Sequence, residues 1–263
     1  MLELNKIHNE NCLDTMSRMN DNFIDLTVTS PPYDNLRNYN GYEFDFESIA
    51  KELFRVTKVG GVVVWVVGDA TINGSETGTS FKQSLYFKEI GFNLHDTMIW
   101  RKINPMPQTK IGRRYTLAME YMFIFTKGLV KTFNPIMEKT KTFGKDLSPS
   151  TQRRPDGSKS QTRLNAQIGR KINEYKQLSN VWDILTKTYS GHPATFPEKL
   201  AEDHIYTWSN KGDLVYDPFT GSGTTAKMSI KLDRNYIGSE ISKEYCDIAN
   251  KRINKELIKM KLF

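Results

Sequence analysis

The sequence predicts an α/β protein built on a doubly wound, mostly parallel sheet. Apolar strand segments alternate with helical segments near both ends of the chain, as in parallel sheets that helices cover on both faces. The strongest strand segment, VVVWVVGD at 62–69, is almost entirely apolar, which indicates burial on both faces. A basic segment with weak periodicity interrupts this alternation, and it predicts an insertion into the sheet domain.

The N-terminal half contains the first strand and helix of this alternation. FIDLTVTS at 23–30 predicts a buried strand, and Pro31-Pro32 must end it because proline lacks the backbone N–H. Residues 46–58 carry apolar side chains at helical spacing, and we expect Gly60-Gly61 to stop that helix. Further elements are predicted after strand 62–69: a helix over 81–90 and strands over 93–100 and 120–127.

The alternation returns near the C-terminus. Pro197 precedes an apolar segment with acidic residues in its first turns, which is typical of a helix start. The remaining predicted elements are a strand over 213–219, a helix over 224–232, a strand over 235–241 and a long basic helix over 242–260.

The charge of the chain is uneven. The 263 residues carry a net charge of +7, but residues 127–187 hold 13 basic and 5 acidic side chains, so the rest is nearly neutral. Within this segment, 148–163 is poor in apolar residues and predicts an exposed or mobile loop. A solvated surface loop is the simpler interpretation, whereas the clustering favours a face that binds a polyanion. We therefore predict a basic insertion at 128–190 between two halves of one domain, 1–127 and 191–263.

The composition excludes several classes of protein. The longest apolar run, Val62 to Val67, is too short to cross a bilayer, and the N-terminal residues lack the pattern of an export signal. Two cysteines and four histidines without metal-ligand spacing predict neither a disulfide scaffold nor a metal site. We expect a soluble protein of a reducing compartment, the cytoplasm.

The first chemical motif is DPFTGSGTT at 217–225. A strand is predicted to end at Asp217, and a Gly-x-Gly turn then leads into a helix whose free N–H groups can bind an anion. The next strand ends at Glu240, about 20 residues on, where an acid commonly binds ribose hydroxyls. A simple tight turn and a solvated acid would produce the same residues. Taken together, the pattern favours an adenosine-containing cofactor.

The second motif is Thr29-Ser30-Pro31-Pro32-Tyr33, directly after the first predicted strand. The Ser30 hydroxyl and the Pro31 carbonyl can accept hydrogen bonds from an amino group, while the Tyr33 ring offers a face on which a base can stack. A strand terminator with an aromatic plug is the alternative.

These motifs resemble those of the bacterial DNA amino-methyltransferases that use S-adenosylmethionine. TSPPY precedes DPFTGSGTT, with the basic segment between them, which resembles the circularly permuted beta class with a Rossmann-like methyltransferase fold. HPATFP at 192–197, IGSEIS at 237–242 and NCLD at 11–14 look like further cofactor motifs of the family. Asn11 stands where the family usually has an acid. The resemblance covers nearly the whole chain apart from 128–180.

The resemblance implies the following site residues. The catalytic motif is Ser30, Pro31, Pro32 and Tyr33. The residues implied to bind S-adenosylmethionine are Asn11, His192, Pro193, Ala194, Phe196, Asp217, Phe219, Gly221, Gly223, Thr224 and Glu240. Double-stranded DNA is the implied partner, with phosphate and base contacts expected from Arg153, Arg154, Lys159, Arg163, Arg170 and Lys171 in the basic target-recognition insertion.

The identity of the methylated base is left open by the chemistry. In this family, a serine before Pro-Pro-Tyr is associated mostly with cytosine N4 and an aspartate mostly with adenine N6, so cytosine is favoured. More distant alternatives are a methyltransferase of RNA or protein amides and a catalytically idle DNA-binding subunit of a restriction system. A cognate restriction endonuclease is a further possible partner, and the chain could act as a monomer or a homodimer.

Overall fold

The computed structural model describes residues 2–32, 44–105, 114–147, 151–161, 170–186 and 197–261. Within these ranges the chain forms two compact units. The larger unit contains Met1–Asn134 and Asn180–Phe263, and the smaller unit contains Pro135–Ser179. The predicted insertion, 128–190, includes the whole smaller unit.

The secondary structure of the larger unit alternates between strands and helices. Its strands are β1 (Lys6–His8), β2 (Ile24–Thr29), β3 (Thr57–Val67), β4 (Thr71–Ile72), β5 (Ser75–Glu76), β6 (Asn93–Lys102), β7 (Met119–Thr126), β12 (Val181–Ile184), β13 (Leu214–Asp217) and β14 (Asn235–Ser239). Its helices are α1 (Cys12–Ser17), α2 (Phe46–Val56), α3 (Thr79–Glu89), α4 (Glu198–Trp208), α5 (Thr224–Lys231) and α6 (Lys243–Lys261).

A mostly parallel sheet organises this unit, with the strand order β1-β14-β13-β2-β3-β7-β6-β12. Only β7 runs antiparallel to its neighbours within this sheet. The predicted α/β class with a doubly wound, mostly parallel sheet is therefore confirmed. The short strands β1 and β12, one at each edge, were not predicted, because three- and four-residue strands leave little periodic signal.

The core lies where α2 and α3 cover the central strands. Trp65 on β3, Phe87 on α3 and Phe125 on β7 are almost completely buried, and the ring of Phe87 contacts both of the other rings. The indole N–H of Trp65 donates a 2.8 Å hydrogen bond to the Gln83 side chain, so burial does not leave it unsatisfied.

The prediction that Gly60-Gly61 stops the helix over 46–58 is wrong. Helix α2 already ends at Val56, and both glycines lie inside β3. A Cβ on Gly61 would lie 2.9 Å from the backbone oxygens of Asp25 and Lys58, and Gly60 has a φ of +85°. These glycines therefore allow neighbouring backbone to approach the start of the strand closely.

The described residues of the smaller unit form two short β-ribbons. β8 (Met137–Lys139) pairs with β11 (Tyr175–Gln177), and β9 (Thr151–Arg153) pairs with β10 (Lys159–Gln161), both antiparallel. The second ribbon corrects the prediction of a loop over 148–163. Its turn is closed by a 2.9 Å bond from Gly157 N to Arg154 O, and Gly157 has a φ of +81°. This hairpin depends on its turn residues. Because the segment has few apolar residues, its sequence showed no sign of the two strands.

Within the described ranges, no helix has both the length and the apolar character that a bilayer crossing requires.

Candidate active site

The predicted site residues follow four neighbouring parallel strands. β1, β14, β13 and β2 are adjacent in that order and all run in the same direction. Their carboxyl ends therefore meet at one edge of the sheet: Asp217 is the last residue of β13, and Asn11, Glu240 and Ser30 follow β1, β14 and β2. Residues that are separated by up to about 230 positions in the sequence thus lie along one edge.

The order of the strands reverses between β13 and β2. The unit β13–α5–β14 extends toward the outer strand β1, whereas β2–α2–β3 extends toward the outer strand β12. Open α/β sheets bind ligands in the crevice at such a reversal, beyond the carboxyl ends of the strands. The ends of β13 and β2 carry the two motifs that the sequence singles out.

Asp217 is the most perturbed acid at this edge. Only 2% of its surface is exposed, and Oδ1 accepts hydrogen bonds from the Thr29 hydroxyl at 2.7 Å and from Phe219 N at 3.1 Å. Within the described part of the chain, Oδ2 has no hydrogen-bond partner, since the nearby Thr225 hydroxyl donates to Val28 O. Burial raises the pKa of this carboxyl to about 6, although the neighbouring donors of Thr29, Phe219 and Thr225 oppose the change. Such an atom is suited to receive a cationic group.

Glu240 follows β14 and is also buried. Its Oε2 accepts a 2.8 Å hydrogen bond from Gly221 N, and its Oε1 accepts one of 2.8 Å from Ser242 N. Burial raises the pKa of Glu240, and these backbone donors oppose that effect. Each oxygen retains a lone pair, so the carboxylate can still accept hydrogen bonds from hydroxyl groups of a ligand.

The Gly-x-Gly turn needs glycine for its backbone conformation. Gly221 has a φ of +51° and Gly223 a φ of +80°, both in the left-handed region. Gly223 caps α5, and no side chain accepts a hydrogen bond there, so the first N–H groups of the helix lack a side-chain cap. A helix start of this kind, near an acid whose Oδ2 has no hydrogen-bond partner among the described residues, suits a zwitterionic amino-acid group.

Three other predicted cofactor residues have structural contacts. Asn11 caps α1 by accepting a hydrogen bond from Leu13 N at 2.9 Å. Phe219 is partly buried, with its ring 5.6 Å from that of Phe44 and 6.2 Å from that of Trp65. Thr224 is buried, and its hydroxyl accepts a hydrogen bond from Arg252 at 3.3 Å. The described contacts of these three residues are therefore structural, and none of them involves a ligand.

The catalytic motif begins directly at the end of β2. Ser30 is partly exposed, Pro31 is buried and Pro32 is partly exposed. Other predicted residues lie outside the described ranges, namely Tyr33, Arg163, His192, Pro193, Ala194 and Phe196.

The predicted DNA-binding residues that are described belong to the smaller unit and are exposed. Arg153 on β9 faces Lys159 on β10 across the ribbon, and Arg154 begins its turn. Lys171 forms a 2.7 Å ion pair with Asp146, and Arg170 precedes it. The ribbon thus concentrates three of these cations.

Sequence analysis missed two residues that hold this edge together. Thr29 belongs to the quoted motif, but only the adjacency of β2 and β13 shows that its hydroxyl binds Asp217. Arg252 on α6 donates hydrogen bonds to Ser222. In the sequence it is one of many basic residues in a C-terminal helix, where a solvent-exposed side chain is the ordinary expectation. The missing signal is strand order for Thr29 and the packing of α6 for Arg252, and the sequence displays neither.

Comparisons with known proteins agree with this architecture. The family model described as DNA methylase (N6/N4 type) matches residues 24–251. The orphan methyltransferase M.BamHII of Bacillus amyloliquefaciens is 56% identical over 245 residues, covering 89% of this chain and 90% of that protein. The cytosine-N4-specific PvuII DNA methyltransferase has a similar fold, with a TM-score of 0.68, 21% identity and coverage of 96% and 89% of the two chains.

A further structure of similar fold is the M1.HpyAVI–SAM complex. Its TM-score is 0.65 and its identity 24%, with coverage of 95% of this chain and 98% of that one. The family match spans most of the chain and includes both motifs at the sheet edge. We conclude that this chain belongs to the N6/N4 family of DNA methylases.

Proposed function

We propose that this protein is a site-specific DNA methyltransferase that methylates cytosine N4 with S-adenosylmethionine as the methyl donor. One observation carries the proposal: the amine-accepting motif at Ser30 and the cofactor motif at Asp217 follow adjacent strands. The two are joined through Thr29, whose hydroxyl binds Asp217. A methyl donor bound at the carboxyl end of β13 would therefore lie beside a target base bound at the carboxyl end of β2.

The residues at the sheet edge fit S-adenosylmethionine chemically. Its ammonium group suits the unpartnered Oδ2 of Asp217, its carboxylate suits the start of α5, and its ribose hydroxyls suit Glu240. When bound, the cofactor supplies a methyl group activated by a positively charged sulfur. We assign the remaining residues of the pocket from the family resemblance: Asn11, Phe219, Gly221, Gly223, Thr224, His192, Pro193, Ala194 and Phe196.

Ser30 and Pro31 would prepare the amine for methyl transfer. The lone pair of an exocyclic amine is delocalised into the base, which makes the nitrogen a weak nucleophile. The Ser30 hydroxyl oxygen and the Pro31 carbonyl would each accept one N–H, which favours a pyramidal nitrogen with its lone pair free. The nitrogen lone pair would form the new N–C bond as the S–C bond breaks, its electron pair would remain on sulfur as a neutral thioether, and the methylated nitrogen would lose one proton to water. The base must first leave the duplex stack, and Tyr33 would hold it there.

Ser30 is the reason for favouring cytosine. The resemblance links serine at this position with N4 methylation, whereas the two hydrogen-bond acceptors would serve adenine N6 equally well. Neither reaction requires a covalent bond to the enzyme, since the amine itself attacks the methyl carbon. Positioning and the exclusion of water therefore provide the catalysis.

The β9–β10 ribbon is our proposed DNA contact in the smaller unit. Among the described residues, no carboxylate forms an ion pair with Arg153, Arg154 or Lys159, whereas Lys176 pairs with Glu138 at 3.0 Å. Unpaired cations can replace the counterions of DNA phosphates. The major groove also accommodates a two-stranded ribbon, in which an arginine can bind the edge of guanine. Arg163, Arg170 and Lys171 extend the same proposal.

Nucleoside analysis tests the proposed reaction. The protein is incubated with labelled S-adenosylmethionine and one substrate at a time: duplex DNA, RNA or protein. The nucleosides of the methylated DNA are then identified by mass spectrometry. We expect label in DNA alone and N4-methylcytosine as its product. N6-methyladenine would overturn the assignment of the base, and label only in RNA or protein would overturn the substrate class.

A further inference from the structure

Arg252 on the C-terminal helix α6 is buried against the Gly-x-Gly turn. Its Nη1 donates hydrogen bonds of 2.6 Å to both the carbonyl oxygen and the hydroxyl of Ser222, and one of 3.3 Å to the Thr224 hydroxyl. Arg252 is 7% exposed, and Ser222 and Thr224 are buried still more completely, at 2% and 4%. One guanidinium nitrogen therefore binds both residues that flank Gly223.

The other end of the guanidinium is anchored by an ion pair. Nη2 of Arg252 donates a 2.7 Å hydrogen bond to Glu198 Oε1, which also accepts one of 2.8 Å from Lys227. Burial acts to raise the pKa of Glu198, but these two cations outweigh it and hold the pKa below its ordinary value. Lys227 in turn lies 3.7 Å from Glu256 on α6. Two acids and two cations are thus linked in sequence behind the turn, from Arg252 through Glu198 and Lys227 to Glu256.

Backbone packing joins the same helix to the same turn. A Cβ placed on Gly223 would lie 2.8 Å from Ala249 Cβ, so α6 approaches the turn as closely as glycine permits. Ala249 and Arg252 are three positions apart and therefore share one face of α6. That face contacts the turn at Gly223 and binds it at Ser222 and Thr224.

From these contacts we infer that Arg252 is a positioning residue for the cofactor. By binding the Ser222 carbonyl, it fixes the orientation of the peptide that precedes Gly223, and with it the start of α5. A turn held in this way is organised before the ligand arrives, which reduces the entropy lost on binding. The inference rests on the proposed cofactor site, because it concerns the affinity of that site.

Arg252 is suited to this task by the shape of its side chain. The planar guanidinium presents donors in two directions, so one residue binds Ser222 and Glu198 at the same time. A lysine has a single nitrogen and cannot match both directions from the same position. Arg252→Lys should therefore retain the charge and only part of the effect.

The test compares three variants of the full chain: Arg252→Met, Arg252→Lys and Arg234→Met. Arg234 is a matched control because it is similarly buried and binds Ser209 O at 2.6 Å, at the amino end of β14, on the opposite edge of the sheet. Calorimetry gives the affinity for S-adenosylmethionine, steady-state kinetics give kcat and the KM for each substrate, and thermal unfolding gives stability.

We expect Arg252→Met to weaken cofactor affinity by about tenfold or more, because the turn is no longer held in its binding geometry. The KM for the cofactor should rise in parallel, while kcat at saturating cofactor and the KM for DNA change by less than about threefold. Arg252→Lys should fall between Arg252→Met and the wild type. Arg234→Met should lose stability with unchanged cofactor affinity.

Two results would overturn the inference. One is wild-type cofactor affinity in folded Arg252→Met or, if that variant does not fold, in Arg252→Lys. The other is an equal loss of affinity in Arg234→Met, which would make the effect a general consequence of instability. If the wild-type protein itself does not bind S-adenosylmethionine, the proposed function fails instead, so the two failures are distinguishable.

Discussion

The hydroxyl of Thr29 donates a 2.7 Å hydrogen bond to Asp217 Oδ1 and so joins the last residue of β2 to the last residue of β13. A second contact, from the Thr225 hydroxyl to Val28 O at 3.1 Å, joins the same strand to α5. Thr29 directly precedes Ser30, and Asp217 directly precedes the Gly-rich turn. The proposed base-binding and cofactor-binding motifs are therefore held in a fixed relation by two threonines.

Thr29→Val should weaken cofactor binding in a pH-dependent manner. Without the Thr29 donor, the buried carboxylate of Asp217 is less stable, so its pKa should rise further above about 6. Since the ionised form is proposed to bind the cofactor ammonium, affinity should increase with pH and level off at a higher pH than in the wild type. Calorimetric titrations between pH 5 and pH 7.5 measure the two profiles.

Thr27→Val provides the control for that variant. Thr27 lies on the same strand and is fully buried, but its hydroxyl has no hydrogen-bond partner within the described part of the chain. Replacing it with the isosteric valine should leave the affinity profile unchanged and stability unchanged or slightly higher. Identical profiles for Thr29→Val and the wild type would show that Thr29 does not control Asp217.

Asp217→Asn should make folding stability less dependent on pH. The pKa of about 6 in the folded state lies above the ordinary value of 3.8, so the folded protein retains this proton at a pH where the unfolded chain has lost it. Stability from this group is thus complete below about pH 4, falls as pH rises to about 6 and then stays level. The total is on the order of 3 kcal/mol.

Denaturant titrations at pH 4, 5, 6 and 7 can isolate this effect as the difference between Asp217→Asn and the wild type. We expect the variant to gain relative stability steadily up to about pH 6, and calorimetry to show that it has lost cofactor affinity. A difference that does not vary with pH would mean that Asp217 titrates normally in the folded state.

Ser30→Ala should lower kcat and leave cofactor affinity unchanged. The hydroxyl oxygen is proposed to accept one N–H of the target amine, an interaction made only once the base is in the pocket. Tyr33→Ala should behave in the same way, since stacking of a base on an aromatic ring is worth about 1–3 kcal/mol. Single-turnover methylation measures the rate of methyl transfer, and calorimetry measures the cofactor affinity. Normal turnover in either variant would remove that residue from the proposed mechanism.

Most of the sheet was predictable from the sequence because its strands are buried on both faces. β3 and β7 carry continuous apolar runs, and the helices α4 and α5 begin where Pro197 and Gly223 predict. The β9–β10 ribbon was not predictable in this way, since an exposed hairpin has no buried face to impose an apolar alternation.

The contacts that organise the site were less predictable than its residues. Asp217 and Glu240 follow strands and belong to motifs, so their positions could be inferred from local sequence. The bonds from Thr29 to Asp217 and from Arg252 to Ser222 span 188 and 30 positions. They exist because strand pairing and helix packing bring these residues together, and no local periodicity reports that geometry.

The β9–β10 ribbon carries three exposed cations, Arg153, Arg154 and Lys159. Changing Arg153, Arg154 and Lys159 together to glutamine should weaken DNA binding without altering cofactor affinity. Cations that contact phosphates release counterions, so the slope of log affinity against log salt should flatten by about 0.9 for each lost contact. If one arginine contacts a base edge, its single variant should instead change site preference, by about 1–3 kcal/mol at one base pair.

A control with the same change in net charge is Lys139→Gln, Lys176→Gln and Lys211→Gln combined. Each of these lysines is already paired with an acid, at distances of 3.9, 3.0 and 2.7 Å. Because lysines already paired with an acid displace fewer counterions from DNA phosphates, the control should change the salt slope less than the ribbon variant does. DNA affinities measured by fluorescence anisotropy at several salt concentrations make the comparison. Equal slopes in the two triple variants would show that only net charge matters, and an unchanged slope in the ribbon variant would assign DNA contact to another part of the chain.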